Sequence, residues 1–398
     1  MTKKHGQECI RNIYTNFALM AGIYIHIPFC AKQCTYCDFH FSTTFESYRD
    51  QLLTALASEL QLRADAWQND PIETIYFGGG TPSLLSGTEI QTLLSTVYTY
   101  YDASVVKEIT LECNPDDCSD EQLTAWKMAG VNRLSIGIQS FTDEQLAWMN
   151  RTHTADEGIK AVERAIAVGF DQLTVDLIYG LPDLSQQAWQ EQLDRVTRLE
   201  VNHISAYCLT VEEKTVLASW VKQGKIHPSN ADQQSEQFEL LVSTLAAAGF
   251  EQYEISNFAK NGKYSQHNTA YWQGKKYVAI GPSAHGFDGK NRYWNVPNNK
   301  QYIRQIEKGI LPETIEELTD YDRFNELLLV GLRTKWGVVK AELETLIPLD
   351  ASWRRKLESW KQSGSVSETN THILLTPAGR LLADAIAGDL FVIGKKGL

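Results

Sequence analysis

Six short β-rich segments alternate with helical stretches through the first half of the chain, and this rhythm restricts the fold more than any other feature. The segments cover residues 22–27, 73–77, 108–113, 133–138, 173–179 and 203–209. Between them, residues 48–66, 86–100, 121–129, 155–168 and 187–199 space their apolar side chains by three and four, as a helix with one buried face requires. Parallel strands cannot be joined by a tight turn and need a crossover, so the alternation points to a parallel sheet covered by helices. A doubly wound sheet and a partial barrel both satisfy the pattern. At 398 residues the chain is long enough for one such domain and a smaller second one.

Directly after the first β segment stand Cys30, Cys34 and Cys37, in IYIHIPFCAKQCTYCDF. Iron–sulfur cubes are normally held by four thiolates, so a loop offering three leaves one iron of a [4Fe-4S] cluster open to a substrate or cofactor. The alternatives are a zinc site and three unrelated core cysteines. Zinc loops usually join Cys-x2-Cys to a second pair downstream, and chance clustering is improbable when seven cysteines are spread over the chain. Cys9, Cys113, Cys118 and Cys208 show no pairing pattern, which points to a reducing cytoplasm.

The 37 basic and 49 acidic residues give a net charge of −12, a poor balance for neutralising phosphates, so no nucleic-acid partner is expected. No apolar run approaches the roughly 20 residues that span a bilayer. Residues 1–21 read as an N-terminal extension, and Glu8, Arg11 and Asn12 break any secretory signal there; Met20 stands as an alternative start.

Polar residues recur where the β segments end. Gly78-Gly79-Gly80-Thr81-Pro82 follows the second and would let a ligand approach the backbone without a Cβ in the way. Glu112, in EITLEC, and Asp176, in LTVDLIYG, are acids in apolar runs, each needing a cation or hydroxyl; a salt bridge to Lys or Arg is the purely structural alternative. Gln139 and Arg151 complete the set, and the Arg151 fork suits a carboxylate. Farther on, residues 232–248 read as a helix and EQYEISNFAK as a strand, followed by the aromatic- and glycine-rich QHNTAYWQGKKYVAIGPSAHGF. Helices at 321–334 and 352–360 precede two short strands and a final helix, a winged-helix-like order over 296–398; Arg354, Arg355 and Lys356 are too few for a nucleic-acid recognition helix.

The Cys-x3-Cys-x2-Cys spacing, with Tyr36 just before the last cysteine, resembles the radical S-adenosylmethionine (radical SAM) superfamily. That resemblance implies a partial (β/α)6 barrel over 22–295, with its site at the C-terminal strand ends. It also implies SAM on the open iron, an electron donor for the cluster, and release of a 5′-deoxyadenosyl radical. The ordered motifs Tyr24-x-His26-x-Pro28-Phe29-Cys30, GGGTP, LEC, SIGIQSF, NRTH and DLIYGLP resemble oxygen-independent coproporphyrinogen III dehydrogenases, strongly over residues 22–290. Carried over by position, Tyr24, Gly79, Glu112, Ala284 and His285 lie near the cluster-bound SAM. Tyr36, Gly80, Thr81, Gln139, Arg151, Asp176 and Thr210 match contacts of a second SAM in the dehydrogenase.

Two departures point to a branch of that family. The dehydrogenase has a further cysteine where Phe39 stands here, and an N-terminal extension in its site, whereas this chain reaches its first strand within some twenty residues. Both features resemble the HemW haem chaperones, whose His-Asn-x-x-Tyr-Trp motif stands here as His267, Asn268, Tyr271 and Trp272. Read from the residues alone, these are core aromatics and a hydrogen-bonding histidine. The resemblance implies instead haem binding and transfer to an acceptor protein, with imidazole as a common axial ligand of haem iron. Oxidative decarboxylation of coproporphyrinogen III and radical modification of RNA or protein are the competing activities.

Overall fold

The computed structural model describes residues 21–394; the N-terminal extension and Met20 lie outside the described residues, except Ala21, which opens the first strand. The chain forms two compact units built from interleaved stretches. One holds the residues up to Asp176 with Thr210–Lys225 and Lys275–Glu316, the other Leu177–Leu209, Ile226–Gly274 and Glu317–Leu398.

The first unit begins with the expected alternation: β1 (Ala21–Ile27), α1 (Arg49–Arg63), β2 (Ile72–Gly79), α2 (Gly87–Tyr100), β3 (Glu108–Cys113), α3 (Asp120–Ala129), β4 (Arg133–Gln139), α4 (Asp143–Trp148), α5 (Ala155–Val168) and β5 (Leu173–Tyr179). β5 crosses into the second unit at Leu177, where α6 (Gln186–Arg198) and β6 (His203–Cys208) follow. α7 (Val216–Lys222) belongs again to the first unit. β1 to β4 pair in parallel, in a register that sets Tyr24 beside Tyr76 and Glu112 beside Ser135. Ile23, Ile25, Ile27, Phe77 and Leu111 are wholly buried. A parallel sheet with both faces covered needs such strands. Helix ends follow local chemistry: Ser86 with Glu89 and Thr154 with Glu157 form capping boxes, and Gly130 and Gly169 end α3 and α5 in the left-handed conformation. The doubly wound alternative is excluded, and β1 to β6 form a partial (β/α)6 barrel of the radical SAM type.

In the second unit, α8 (Ala231–Ala247) precedes a correction. EQYEISNFAK is not one strand but the antiparallel pair β7 (Glu251–Glu254) and β8 (Asn257–Ala259). The Glu254 carboxylate accepts from the Ser256 amide at 2.9 Å and the Asn257 side chain at 2.6 Å, which closes the turn that alternation alone conceals. α9 (Gln266–Trp272) follows.

The first unit is completed by β9 (Tyr277–Ile280), β10 (His285–Phe287), β11 (Asn291–Asn295), α10 (Asn299–Ile306) and β12 (Glu313–Glu317, its last residue in the second unit). β9 and β10 lie in the stretch read only as rich in aromatics and glycine, β11 just beyond it, and α10 and β12 in the stretch read as the start of the winged-helix-like region. β9 lies parallel to β1, on the side opposite β2, and β10 and β11 continue antiparallel. A buried network ties this strap to α1: Glu59 accepts from Arg63 at 2.8 Å, Asn295 at 2.7 Å, the Gly281 amide at 2.8 Å and Tyr302 at 2.6 Å. A buried carboxylate so fully satisfied fixes its partners.

The C-terminal region of the second unit runs α11 (Asp320–Leu332), β13 (Val338–Val339), α12 (Lys340–Leu346), α13 (Ala351–Gln362), β14 (Val366–Glu368), β15 (His372–Leu375) and α14 (Ala383–Leu390). With sheet order β13-β15-β14 this is the winged-helix arrangement, closed over Phe324, Leu328, Trp353, Leu357, Ile373 and Ile386. On α13, Arg354 pairs with Glu344 and Lys356 with Asp389.

Candidate functional site

The cysteine loop is closed by the chain itself. Ser42 accepts the Cys30 amide at 3.1 Å and donates to Pro28 at 2.9 Å, while the Phe29 ring stacks on Phe45 at 4.4 Å. Farther in, the Thr35 amide donates to Met149, the Leu217 amide to Thr35, and the Asn150 side chain to Gln33. All three thiols are free. Each sulfur has a donor: the Thr81 hydroxyl on Cys30 at 3.4 Å, an Arg151 guanidinium N–H on Cys34 at 3.5 Å, and the Phe39 backbone amide on Cys37. Burial pushes the Cys30 thiol up to about 11 and Cys37 to about 12, so at neutral pH an incoming metal must displace their protons. Among the described residues no three His, Cys, Asp or Glu side chains converge on a single-ion site. A cubane does not need that, because each thiolate bonds a different iron; three thiolates with donors to their sulfurs fit it.

Beside the loop, the strand ends gather part of the expected SAM set. Gly79 has φ +106°, and a Cβ there would lie 2.5 Å from the His26 ring; one on Gly80 would lie 2.6 Å from the Phe29 carbonyl oxygen. Only glycine fits both places. Glu112 accepts from the Tyr76 hydroxyl at 2.7 Å and the Gly79 amide at 3.2 Å, and burial pushes its carboxyl up to about 7. Tyr24 stacks near Tyr76, shares a 3.2 Å hydrogen bond with His26 Nδ1, and packs against the cluster containing Ala284. Tyr24, Gly79, Glu112 and Ala284 are thereby brought together, while His285 is exposed and stacked on Trp294.

The second set is less compact. Tyr36 lies among Arg151, Cys34 and Cys37, its hydroxyl pushed up by burial. Gln139, with φ +69°, and Arg151 both approach Gly137 at the end of β4, and Asp176 accepts from the Ser135 hydroxyl at 2.9 Å. Thr210 is exposed after β6. Glu112 and Asp176 have hydroxyl partners as expected, Tyr76 and Ser135, with the Gly79 amide also on Glu112. One expectation changes: the Arg151 fork takes the Asn114 side-chain oxygen at 2.7 Å and the Gly137 carbonyl at 2.9 Å where a carboxylate was expected. Tyr76, Asn114 and Ser135 were missed; Tyr76 and Ser135 stand in register with Tyr24 and Glu112, a signal visible only once strands are paired, and Asn114 follows the last residue of β3.

The His-Asn-x-x-Tyr-Trp motif forms α9, in the second unit. His267 is 1% exposed, with Nε2 2.7 Å from the Tyr271 hydroxyl, and burial lowers its pKa to about 3. Ser265 caps the helix by accepting the Asn268 amide. The Thr269 hydroxyl and the Trp272 indole N–H are buried without a hydrogen-bond partner among the described residues, and the Arg333 guanidinium lies 5.5 Å from the Trp272 ring.

Residues 24–196 match the radical SAM superfamily, and residues 318–382 the HemN C-terminal domain. A relative from Bacillus subtilis (strain 168) named heme chaperone HemW is 35% identical over 373 residues, covering 93% of this chain and 98% of its own. The chain belongs to the HemW family. Alongside that HemW relative, a Danio rerio protein named radical S-adenosyl methionine domain-containing protein 1, mitochondrial, is 35% identical over 340 residues, covering 83% of this chain and 77% of its own. The fold is that of coproporphyrinogen III oxidase (HemN) from Escherichia coli, described as a radical SAM enzyme, with a TM-score of 0.80 at 24% identity, covering 94% of this chain and 90% of that one. Family membership implies a [4Fe-4S] cluster and SAM. Among the described residues no helix is long and apolar enough to cross a membrane.

Proposed function

We propose that this chain is a cytoplasmic haem chaperone that binds haem and passes it to an acceptor protein, with a [4Fe-4S] cluster on Cys30, Cys34 and Cys37 and SAM on the open iron. The observation that carries the reading is the 35% identity to a HemW relative along nearly the full length of both chains. When bound, the cluster supplies an electron to the SAM sulfonium, from a donor protein. Glu112, Tyr24 and Gly79 are proposed to hold the methionine end of SAM, and the Ala284–His285 turn to lie beside it. Tyr36, Gly80, Thr81, Gln139, Arg151, Asp176 and Thr210 would serve a second SAM. Phe39, 65% exposed, stands where the dehydrogenase has a cysteine, so the chain lacks that thiol for decarboxylating coproporphyrinogen III.

His267, Asn268, Tyr271 and Trp272 are proposed as the haem-linked element. The partnerless Trp272 N–H and Thr269 hydroxyl on the same helix support a polar ligand there. Were His267 Nε2 to serve haem iron, its bond to Tyr271 would have to open. The test is anaerobic reconstitution of the cluster followed by parallel assays of haem binding and coproporphyrinogen III conversion. Haem binding without conversion supports the chaperone; SAM-dependent formation of protoporphyrinogen IX overturns it in favour of the dehydrogenase.

A further inference from the structure

The three sulfurs of the cysteine loop are not treated alike. Cys30 receives a neutral hydroxyl from Thr81 and Cys37 a neutral backbone amide from Phe39, whereas Cys34 receives the cationic guanidinium of Arg151 at 3.5 Å, with the Tyr36 hydroxyl beside it. The guanidinium is held rigidly for this contact. Its second arm donates to Asn114 Oδ1 at 2.7 Å and to the Gly137 carbonyl at 2.9 Å, and Nε is buried without a partner. Asn114 is itself fixed, since its amide donates to the Ser83 hydroxyl, which donates to Asp117 at 2.6 Å. Arg151 thus has both arms committed, one to the protein frame and one to a cluster-ligand position.

Reducing an iron–sulfur cluster adds one negative charge. A cation in contact with a ligand sulfur, screened little because it is mostly buried, favours the reduced state, and N–H···S bonds act in the same direction. We infer that Arg151 is a tuning residue that raises the reduction potential of the cluster through its charge-assisted bond to Cys34. The inference rests on the assignment of Cys30, Cys34 and Cys37 as cluster ligands. Because the bond is made within the protein, the effect is present before SAM binds.

The full-length protein is reconstituted anaerobically, and its cluster titrated with dithionite and mediators without SAM, the reduced form being followed by electron paramagnetic resonance. Iron and sulfide counts accompany each midpoint. Arg151→Met is expected to keep its cluster and shift the midpoint to more negative potential, Arg151→Lys to recover most of the shift, and Thr81→Val to shift less than Arg151→Met. An unchanged midpoint in a fully loaded Arg151→Met protein overturns the tuning role. If that variant takes up no cluster, Asn114→Ala, which keeps the charge but releases one arm, is expected to give a smaller negative shift, and no shift there overturns the proposal as well. A wild-type protein that binds no iron overturns the cysteine assignment itself, an outcome the iron count separates from the other two.

Discussion

The cysteine cradle of the first unit and the motif helix of the second differ in how far their polar groups are already satisfied. Around the cradle, donors are aimed at sulfur atoms and glycines leave backbone open, so the protein presents groups that await a ligand. On α9 the imidazole is buried and bonded to Tyr271, so the same residue that looks like a ligand is also a packing residue. A prepared site accepts its ligand without rearranging, whereas a satisfied one must exchange a hydrogen bond. The two regions titrate in opposite senses. Glu112 has a folded value of about 7 against 4.5, so its contribution to stability is present below 4.5 and lost as pH rises through 7. For His267, about 3 against 6.5, the contribution is present above 6.5 and lost as pH falls towards 3.

Substitutions in the two regions test that contrast. The largest effect belongs to the cradle: Cys30→Ala, Cys34→Ala or Cys37→Ala each abolishes the cluster, while Cys113→Ala, Cys118→Ala and Cys208→Ala do not, as counted by iron and acid-labile sulfide. Full occupancy in Cys34→Ala would sink the assignment. Next comes His267→Ala, expected to destabilise the fold by about 2–4 kcal/mol in denaturant titration, because it opens a cavity and strands the Tyr271 hydroxyl. It should also remove stability lost on acidification between pH 6.5 and about 3. Lowered haem affinity or an altered haem spectrum in the same variant is expected if the motif touches haem; an unchanged spectrum excludes ligation by His267 and leaves it a packing residue.

Glu112→Gln separates binding from folding in the cradle. SAM affinity should weaken by about 1.5–3 kcal/mol in equilibrium binding through loss of a charge-assisted bond, with cluster content unchanged. The stability the wild type loses between pH 4.5 and about 7 should no longer be lost in this variant, as read from melting temperatures across that range. Unaltered SAM affinity would remove Glu112 from the site. The smallest effect is expected at Phe39→Ser: with the ring 65% exposed, stability should move by less than about 0.5 kcal/mol. Destabilisation beyond 2 kcal/mol would show that the loop depends on that ring.

Much of the first unit was legible because its signals are local. Apolar periodicity and β-rich composition located β1 to β6, the last of them in the second unit, and α1 to α3. The strap from β9 to β12 was not legible, since its short strands are set by pairing with β1 and by the buried Glu59, a partner more than 200 residues away in sequence. The same reason hid Tyr76 and Ser135, which enter the site through strand register, and Asn114, which enters by accepting from Arg151. The fork of Arg151 was read as a carboxylate binder because side-chain chemistry offers that partner first; the fold supplies an amide, a carbonyl and a sulfur.

The loop between Pro28 and Ser42 is tied at both ends by chain-to-chain bonds, Cys30 to Ser42 and Ser42 to Pro28. Those bonds limit how far its three cysteines can stray from one another, which reduces the ordering entropy that cluster assembly must offset.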